Sequence, residues 1–173
     1  MSTNSRRNFI KKTAVGALGL TVASKFNATE MTAKSYSNII GANDRINVAI
    51  QGLGRRYSAY KQPIITKQNN VKLLYLCDVM EKQRDNAAKN FSKDINYKFA
   101  LENDIRKVLE DKNVDAVFMA TPDHWHTPGA LMGMQADKHI YLEKPCSHNM
   151  HENELVVSAQ KKYNKLIQMG NQQ

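Results

Sequence analysis

Arg45-Ile46-Asn47-Val48-Ala49-Ile50-Gln51, followed at once by Gly52-Leu53-Gly54, is the stretch from which the fold is read. A β-branched, apolar run with little polar alternation marks a strand buried on both faces. The glycine pair ends it, because glycine reaches backbone conformations that other residues avoid. Residues 55–69 are helix-like, and Pro63 predicts a kink or an early stop there. The same pattern recurs downstream. Strands are read at 71–77 (VKLLYLC), 97–100, 114–120 (VDAVFMA), 139–142 and 166–169. Helices are read at 80–91, 103–111, 128–136 and 149–163. Thr127 is read as the cap of the helix that starts at Pro128, where proline is tolerated. Six short apolar strands separated by helices predict right-handed βαβ crossovers. The expected class is α/β, a doubly wound parallel sheet between two layers of helices.

The chain has 173 residues, of which 42% are hydrophobic and 24% charged. That suits one globular domain with a tail, long enough to bury a core. No apolar run reaches the roughly 18–20 residues that span a bilayer, which excludes a polytopic membrane protein. Two cysteines, Cys77 and Cys146, cannot build a disulfide scaffold. The net charge of +9 raises the question of nucleic acid, yet Arg6, Arg7, Lys11, Lys12 and Lys25 account for much of it. The rest is scattered, without aromatic-basic alternation, so no nucleic-acid partner is expected. Residues 1–30 read as an address. Ser5-Arg6-Arg7-Asn8-Phe9-Ile10-Lys11-Lys12 precedes about 12 mildly apolar residues, the layout of a signal segment. It resembles the twin-arginine translocation consensus, a route for folded proteins. The expectation is export to the periplasm, with a membrane tether if the segment is not cleaved. A plain basic tail is the alternative. Residues 31–44 read as a polar linker and 45–173 as the domain.

In such sheets ligands bind beyond the carboxyl ends of the strands, so the informative residues follow each strand. After the first comes Gly52-x-Gly54. Its first glycine allows a tight turn and its second lets the backbone approach a pyrophosphate. Position 57 is Tyr57, so the third glycine of that fingerprint is missing. A simple strand-to-helix turn is the alternative. After the second strand comes Asp78, 24 residues beyond Gly54. A carboxylate there can accept from a ribose 2′-hydroxyl and repels a 2′-phosphate, which favours NAD over NADP. It could equally cap the next helix. After the fourth strand comes Thr121-Pro122-Asp123-His124-Trp125-His126, and after the fifth Glu143-Lys144-Pro145.

This order of G-x-G, Asp, T-P-x-x-x-H and E-K-P resembles the glucose-fructose oxidoreductase/inositol dehydrogenase family (Gfo/Idh/MocA). The stretch 121–148, with T-P-D-H-W-H and E-K-P-C-S-H, is similar to its exported subgroup. The resemblance covers about residues 44–173. It implies a Rossmann-like NAD(P)-binding domain of an oxidoreductase that acts on a sugar or polyol CH–OH group. Gly52, Gly54 and the backbone at Leu53 and Arg55 would hold the pyrophosphate, and Asp78 the adenosine ribose. Thr121, Pro122 and His126 would line the coenzyme cleft. Glu143 would bond the nicotinamide side, and Lys144 would reach the reacting hydroxyl as the catalytic residue. An ammonium beside that oxygen stabilises developing alkoxide charge. The family carries a second α/β domain that covers the nicotinamide, binds sugar and supports homo-oligomers, and this sequence stops before it. An NAD-dependent glycosidase of the same fold, and a non-catalytic NAD-binding fragment, are the alternatives.

Other clusters are read as structural. His124-x-His126 and Cys146-x-His148-x-x-His151 have zinc-like spacing, but no metal is expected. Cys146 is read as a small apolar filler, not a nucleophile. Trp125 could stack on a coenzyme or sugar ring or pack on the sheet edge.

Overall fold

The computed structural model describes residues 45–171; residues 1–30, read as an address, and residues 31–44, read as a linker, lie outside the described residues. The strands are β1 Ile46–Gln51, β2 Val71–Cys77, β3 Ala100–Glu102, β4 Ala116–Met119, β5 His139–Glu143 and β6 Ile167–Gly170. The helices are α1 Lys61–Ile65, α2 Glu81–Phe91, α3 Ile105–Glu110, α4 His126–Gln135 and α5 Met150–Tyr163. All strand pairs are parallel, in the order β3-β2-β1-β4-β5-β6. The order reverses between β1 and β4, and there a doubly wound sheet opens a crevice at its carboxyl edge.

Period-2 alternation sends successive residues of a strand to opposite faces. Val48 and Ile50 join Leu73, Leu76, Tyr60, Ile64, Ala87 and Phe91 in one core, under α1 and α2. Ala49 joins Val117, Met119, Ile140 and Leu142 in a second core, with Val108 of α3, Ala130 and Met134 of α4 and Ala159 of α5. The three layers foreseen from the sequence are therefore present, and β1 is central because both of its faces are apolar.

Several boundaries differ from the sequence reading, and four of the differences have a physical reason in the packing. Residues 55–69 do not form one helix. A 3-10 turn at Arg56–Tyr60 leads into the five-residue α1, and a second 3-10 turn follows at Lys67–Asn69. Pro63 lies in the first turn of α1, where its missing N–H costs nothing. β3 begins at Ala100, not at Tyr97. Tyr97 and Phe99 are apolar because they drop onto the core as loop residues, with the Tyr97 hydroxyl accepting from Leu73 N at 3.1 Å. β4 begins at Ala116, because the Asp115 side chain accepts from Asn47 N at 2.7 Å just below the ladder. Thr127 does not cap α4. The helix starts two residues earlier, at His126, after a 3-10 turn at Asp123–Trp125, and Thr127 is buried in its first turn.

Candidate functional site

The glycine turn shows why each glycine is there. Gly52 has φ +85°, and a Cβ on it would stand 2.6 Å from the carbonyl carbon and oxygen of Ala120. Its first task is therefore to let β1 pass close to the end of β4. Gly54 has nothing within 4 Å of where a Cβ would go. The protein's own packing does not demand glycine at 54, whereas a ligand approaching the backbone would. Leu53, between them, is fully buried, and its amide donates to Asp78 Oδ2 at 2.7 Å. That amide is committed inside the protein and does not face the crevice, contrary to the role implied for it. Arg55 is exposed at the start of the 3-10 turn.

Asp78 ties two loops together. Oδ1 accepts from Met80 N at 2.8 Å at the entry to α2, and Oδ2 accepts from Leu53 N. Each carboxylate oxygen has a second lone pair, so a hydroxyl donor can still be received. The side chain of Arg84 closes the same corner, donating to the Asp78 carbonyl at 2.6 Å.

Glu143, at the end of β5, points the same way as Tyr141, toward α1. Its Oε1 accepts from Arg56 Nε at 2.8 Å and from the Tyr60 hydroxyl at 2.9 Å. Burial alone would raise this carboxyl, but the Arg56 and Tyr60 contacts outweigh it and hold it below its ordinary value. Tyr60 moves the other way: burial, then the Glu143 hydrogen bond, push its hydroxyl up. Arg56 and Tyr60 had no place in the sequence reading of the site. A 56-60-64 spacing puts three residues on one side of an α-helix, but Arg56–Tyr60 is a 3-10 turn, so that spacing carried no signal for the pair. Tyr57, standing where a third glycine was absent, turns its ring toward Phe91, with centroids 6.3 Å apart.

His126 is 1% exposed, which corrects its placement as a cleft-lining residue. Its Nε2 lies 2.8 Å from the Thr121 carbonyl and its Nδ1 faces the Pro145 carbonyl. The ring therefore staples the turn after β4 to the turn after β5. Pro122 is exposed at the crevice. The side-chain oxygens Thr121 Oγ1 and Gln51 Oε1 are buried with no hydrogen-bond partner among the described residues. Unpaired buried oxygens at strand ends are costly and suit a site that completes itself with a ligand.

Lys144 is exposed between two anchored neighbours, Glu143 and Pro145, and the Lys144–Pro145 peptide bond is cis. Trp125 is half exposed on the turn before α4. Cys146 packs against the second core, and burial pushes its thiol up, which suits a filler rather than a nucleophile. Among the described residues no three His, Cys, Asp or Glu side chains converge on a point a metal could occupy. No helix among them is long and apolar enough to cross a membrane.

Strand order, an open glycine turn at the switch point and an acid after β2 define a Rossmann nucleotide-binding domain. A profile of the Gfo/Idh/MocA oxidoreductase family, NAD-binding Rossmann fold, matches residues 46–171, and the chain belongs to that family. A glycosyl hydrolase family 109 protein of Saccharopolyspora erythraea is 30% identical over 96% of the chain and 39% of its own length. An alpha-N-acetylgalactosaminidase of Shewanella oneidensis is 28% identical over 85% of the chain and 35% of its own length. The chain thus spans well under half the length of the curated relatives it matches. Among solved structures, scyllo-inositol dehydrogenase of Lactobacillus casei with bound NAD(H) and scyllo-inositol superposes with a TM-score of 0.64. That likeness is at 25% identity, over 73% of this chain and 36% of that one. The WlbA dehydrogenase of Bordetella pertussis, with NADH and UDP-GlcNAcA, gives a TM-score of 0.66 over 74% of this chain and 37% of that one. At 21% identity that likeness speaks for the fold alone.

Proposed function

We propose that this domain binds NAD in preference to NADP and serves hydride transfer at a carbinol carbon of a sugar or polyol. One observation carries the reading. The glycine turn, Asp78 and the Glu143-Lys144-Pro145 turn stand at one end of the sheet, joined by side-chain ties from Asp78, Arg56 and His126. The residues fit a dinucleotide: Gly54 leaves its approach open, and Gln51 and Thr121, at the ends of β1 and β4, keep unpaired buried oxygens among the described residues. The chemistry such a coenzyme supplies when bound is reversible acceptance of a hydride. The chain's own part is to bind, orient and handle charge. Asp78 receives the ribose hydroxyls on its remaining lone pairs. Lys144 places its ammonium at the substrate oxygen, where it stabilises developing alkoxide charge and relays the proton.

The test is a fluorescence titration of the full chain with NADH and then NADPH, beside Asp78→Ala. Saturable NADH binding, weaker for NADPH and weaker in the variant, is the expected result. No binding by a chain with native circular dichroism sinks the proposal, and equal affinity for NADPH sinks the role of Asp78. The curated relatives favour a second reading, an NAD-dependent glycosidase that removes a hydride and later returns it. Accumulating NADH from a free sugar supports the dehydrogenase; aryl-glycoside cleavage without NADH supports the glycosidase. Export by the twin-arginine route belongs to the proposal, carried by Arg6-Arg7 before Phe9. Arg6→Lys with Arg7→Lys is expected to hold the protein in the cytoplasm, which cell fractionation reads.

A further inference from the structure

We propose that the amino edge of the sheet is a second working face, which rests on an anionic lipid surface through Arg45, Lys72 and Lys98. Coenzyme binding plays no part in it. All strand pairs are parallel, so every strand enters at one edge and ends at the other. The crevice takes the carboxyl edge. Basic residues gather at the opposite one. Arg45 precedes β1, Lys72 is the second residue of β2, Lys98 lies two residues before β3, and Lys112 lies in the turn that leads to β4. β3, β2, β1 and β4 are adjacent in that order. At about 4.8 Å per strand, neighbouring entries stand within a Debye length of about 8 Å, so their fields add.

The carboxylates of this edge are engaged elsewhere. Asp94 pairs with Lys61 at 2.6 Å and Asp137 with Lys165 at 2.6 Å. Asp111 accepts from Tyr75 and Asn113, and the Lys138 ammonium donates to its carbonyl. Asp115 accepts from the Asn47 amide. Arg45 and Lys72 meet neutral partners instead. Arg45 donates to Asn70 Oδ1 at 3.3 Å, and Lys72 Nζ stands 5.7 Å from the centre of the Tyr97 ring. Lys98 is exposed, with no carboxylate in ion-pair reach among the described residues. Lysines near helix C-termini, such as Lys93 and Lys161, complement a helix dipole and need no outside partner. Arg45, Lys72 and Lys98 belong to strands and their entry turns, where no dipole calls for a cation. An unneutralised positive stripe along a sheet edge matches a plane of anionic headgroups. Two features favour lipid over nucleic acid. The ring beside the stripe, Tyr97, is half-buried under Lys72 and offers no platform for a base. Arg45 is also where residues 1–44 join the domain, and a membrane tether there holds lipid within reach of this edge. That last point rests on the export reading above, whose failure cell fractionation reads separately.

The experiment is co-sedimentation of the full chain with vesicles of phosphatidylcholine alone or with about 30% phosphatidylglycerol. Wild type is compared with Arg45→Gln/Lys72→Gln/Lys98→Gln. The control is Lys82→Gln/Arg106→Gln/Lys107→Gln, which removes the same charge at the starts of α2 and α3, near the carboxyl edge. Residues 1–44 are present throughout, so the difference between the two variants reports the edge alone. Each base at a lipid surface contributes roughly fivefold, so the amino-edge variant should partition about 10- to 100-fold more weakly onto the anionic vesicles. The control should stay near wild type. Equal losses in both variants would mean that only net charge matters, and would overturn the proposal. So would an amino-edge variant that partitions like wild type, or a wild type indifferent to phosphatidylglycerol. Tighter binding of wild type to a DNA duplex than to the anionic vesicles overturns it as well. If the triple variant lacks native circular dichroism, the exposed pair Arg45→Gln/Lys98→Gln decides. A fall of about 5- to 25-fold then supports the proposal, and no change overturns it.

Discussion

Two glycines two residues apart do different work, and substitution separates them. Gly52→Ala puts a side chain at φ +85° and 2.6 Å from the Ala120 peptide. The left-handed backbone alone costs about 1–2 kcal/mol, and the clash adds to it, so a clear loss of Tm is expected in thermal unfolding. Gly54→Ala meets empty space. It should leave stability within about 0.5 kcal/mol of wild type and weaken only NADH binding, because the added methyl stands where the ligand must approach. Equal stability losses in the two variants would refute this division. At Glu143, replacement by Leu leaves the buried Tyr60 hydroxyl without an acceptor, at a cost of about 1–3 kcal/mol that denaturant unfolding measures. G-x-G, Asp78 and the Glu143-Lys144-Pro145 turn were legible as residue types in the right order. What each atom touches was not. That Asp78 holds the Leu53 amide and that His126 meets the Pro145 carbonyl depends on partners 25 and 19 residues away.

Elements were legible wherever local pattern and tertiary packing agree. α5 is the clear case. Asn149 accepts from Glu152 N at 3.0 Å, while Glu152 accepts from His148 N at 2.8 Å, a reciprocal cap that residue types at this spacing announce. Removing it with Asn149→Ala should cost about 1 kcal/mol in urea unfolding. The segment 55–69 was not legible in that way. Nothing local says that Arg56 and Tyr60 must reach Glu143, 87 and 83 residues on, and that reach is made from a 3-10 turn rather than an α-helix. The segment 97–100 misled for the opposite reason. Burial of Tyr97 and Phe99 mimics a strand, because apolarity records burial and not pairing. α2 depends on one large anchor. Phe91 is fully buried between Tyr57 and Phe99, so Phe91→Ala should cost about 3–5 kcal/mol.

For the whole molecule, pH acts through groups whose folded values are displaced. The Glu143 carboxyl is held down, and that of Asp104 is pulled to about 2 by the Arg106 side chain and amide. A depressed carboxylate stabilises the fold above its unfolded value and loses that contribution as pH falls through its folded one. Stability should therefore hold near neutrality and fall below the ordinary carboxylate range, toward pH 2. Cys77 is the reverse case, its thiol pushed by burial from 9.0 to about 12. Its contribution is full below pH 9 and is lost as pH rises toward 12, so a second decline is expected there. Chemical unfolding from pH 2 to 11 reads both limbs, and Cys77→Ala should flatten the alkaline one.

The sequence by itself determined the layering, the strand content and the family. Those rest on period, apolarity and short motifs, all local properties of the chain. The tertiary structure alone decided that Leu53 gives its amide to Asp78, that His126 joins two turns, and that Arg56 is the exposed end of a pair rooted at Glu143. A hydrogen bond needs its two atoms within about 3 Å, and only the folded sheet brings the carboxyl ends of β1, β2, β4 and β5 that close.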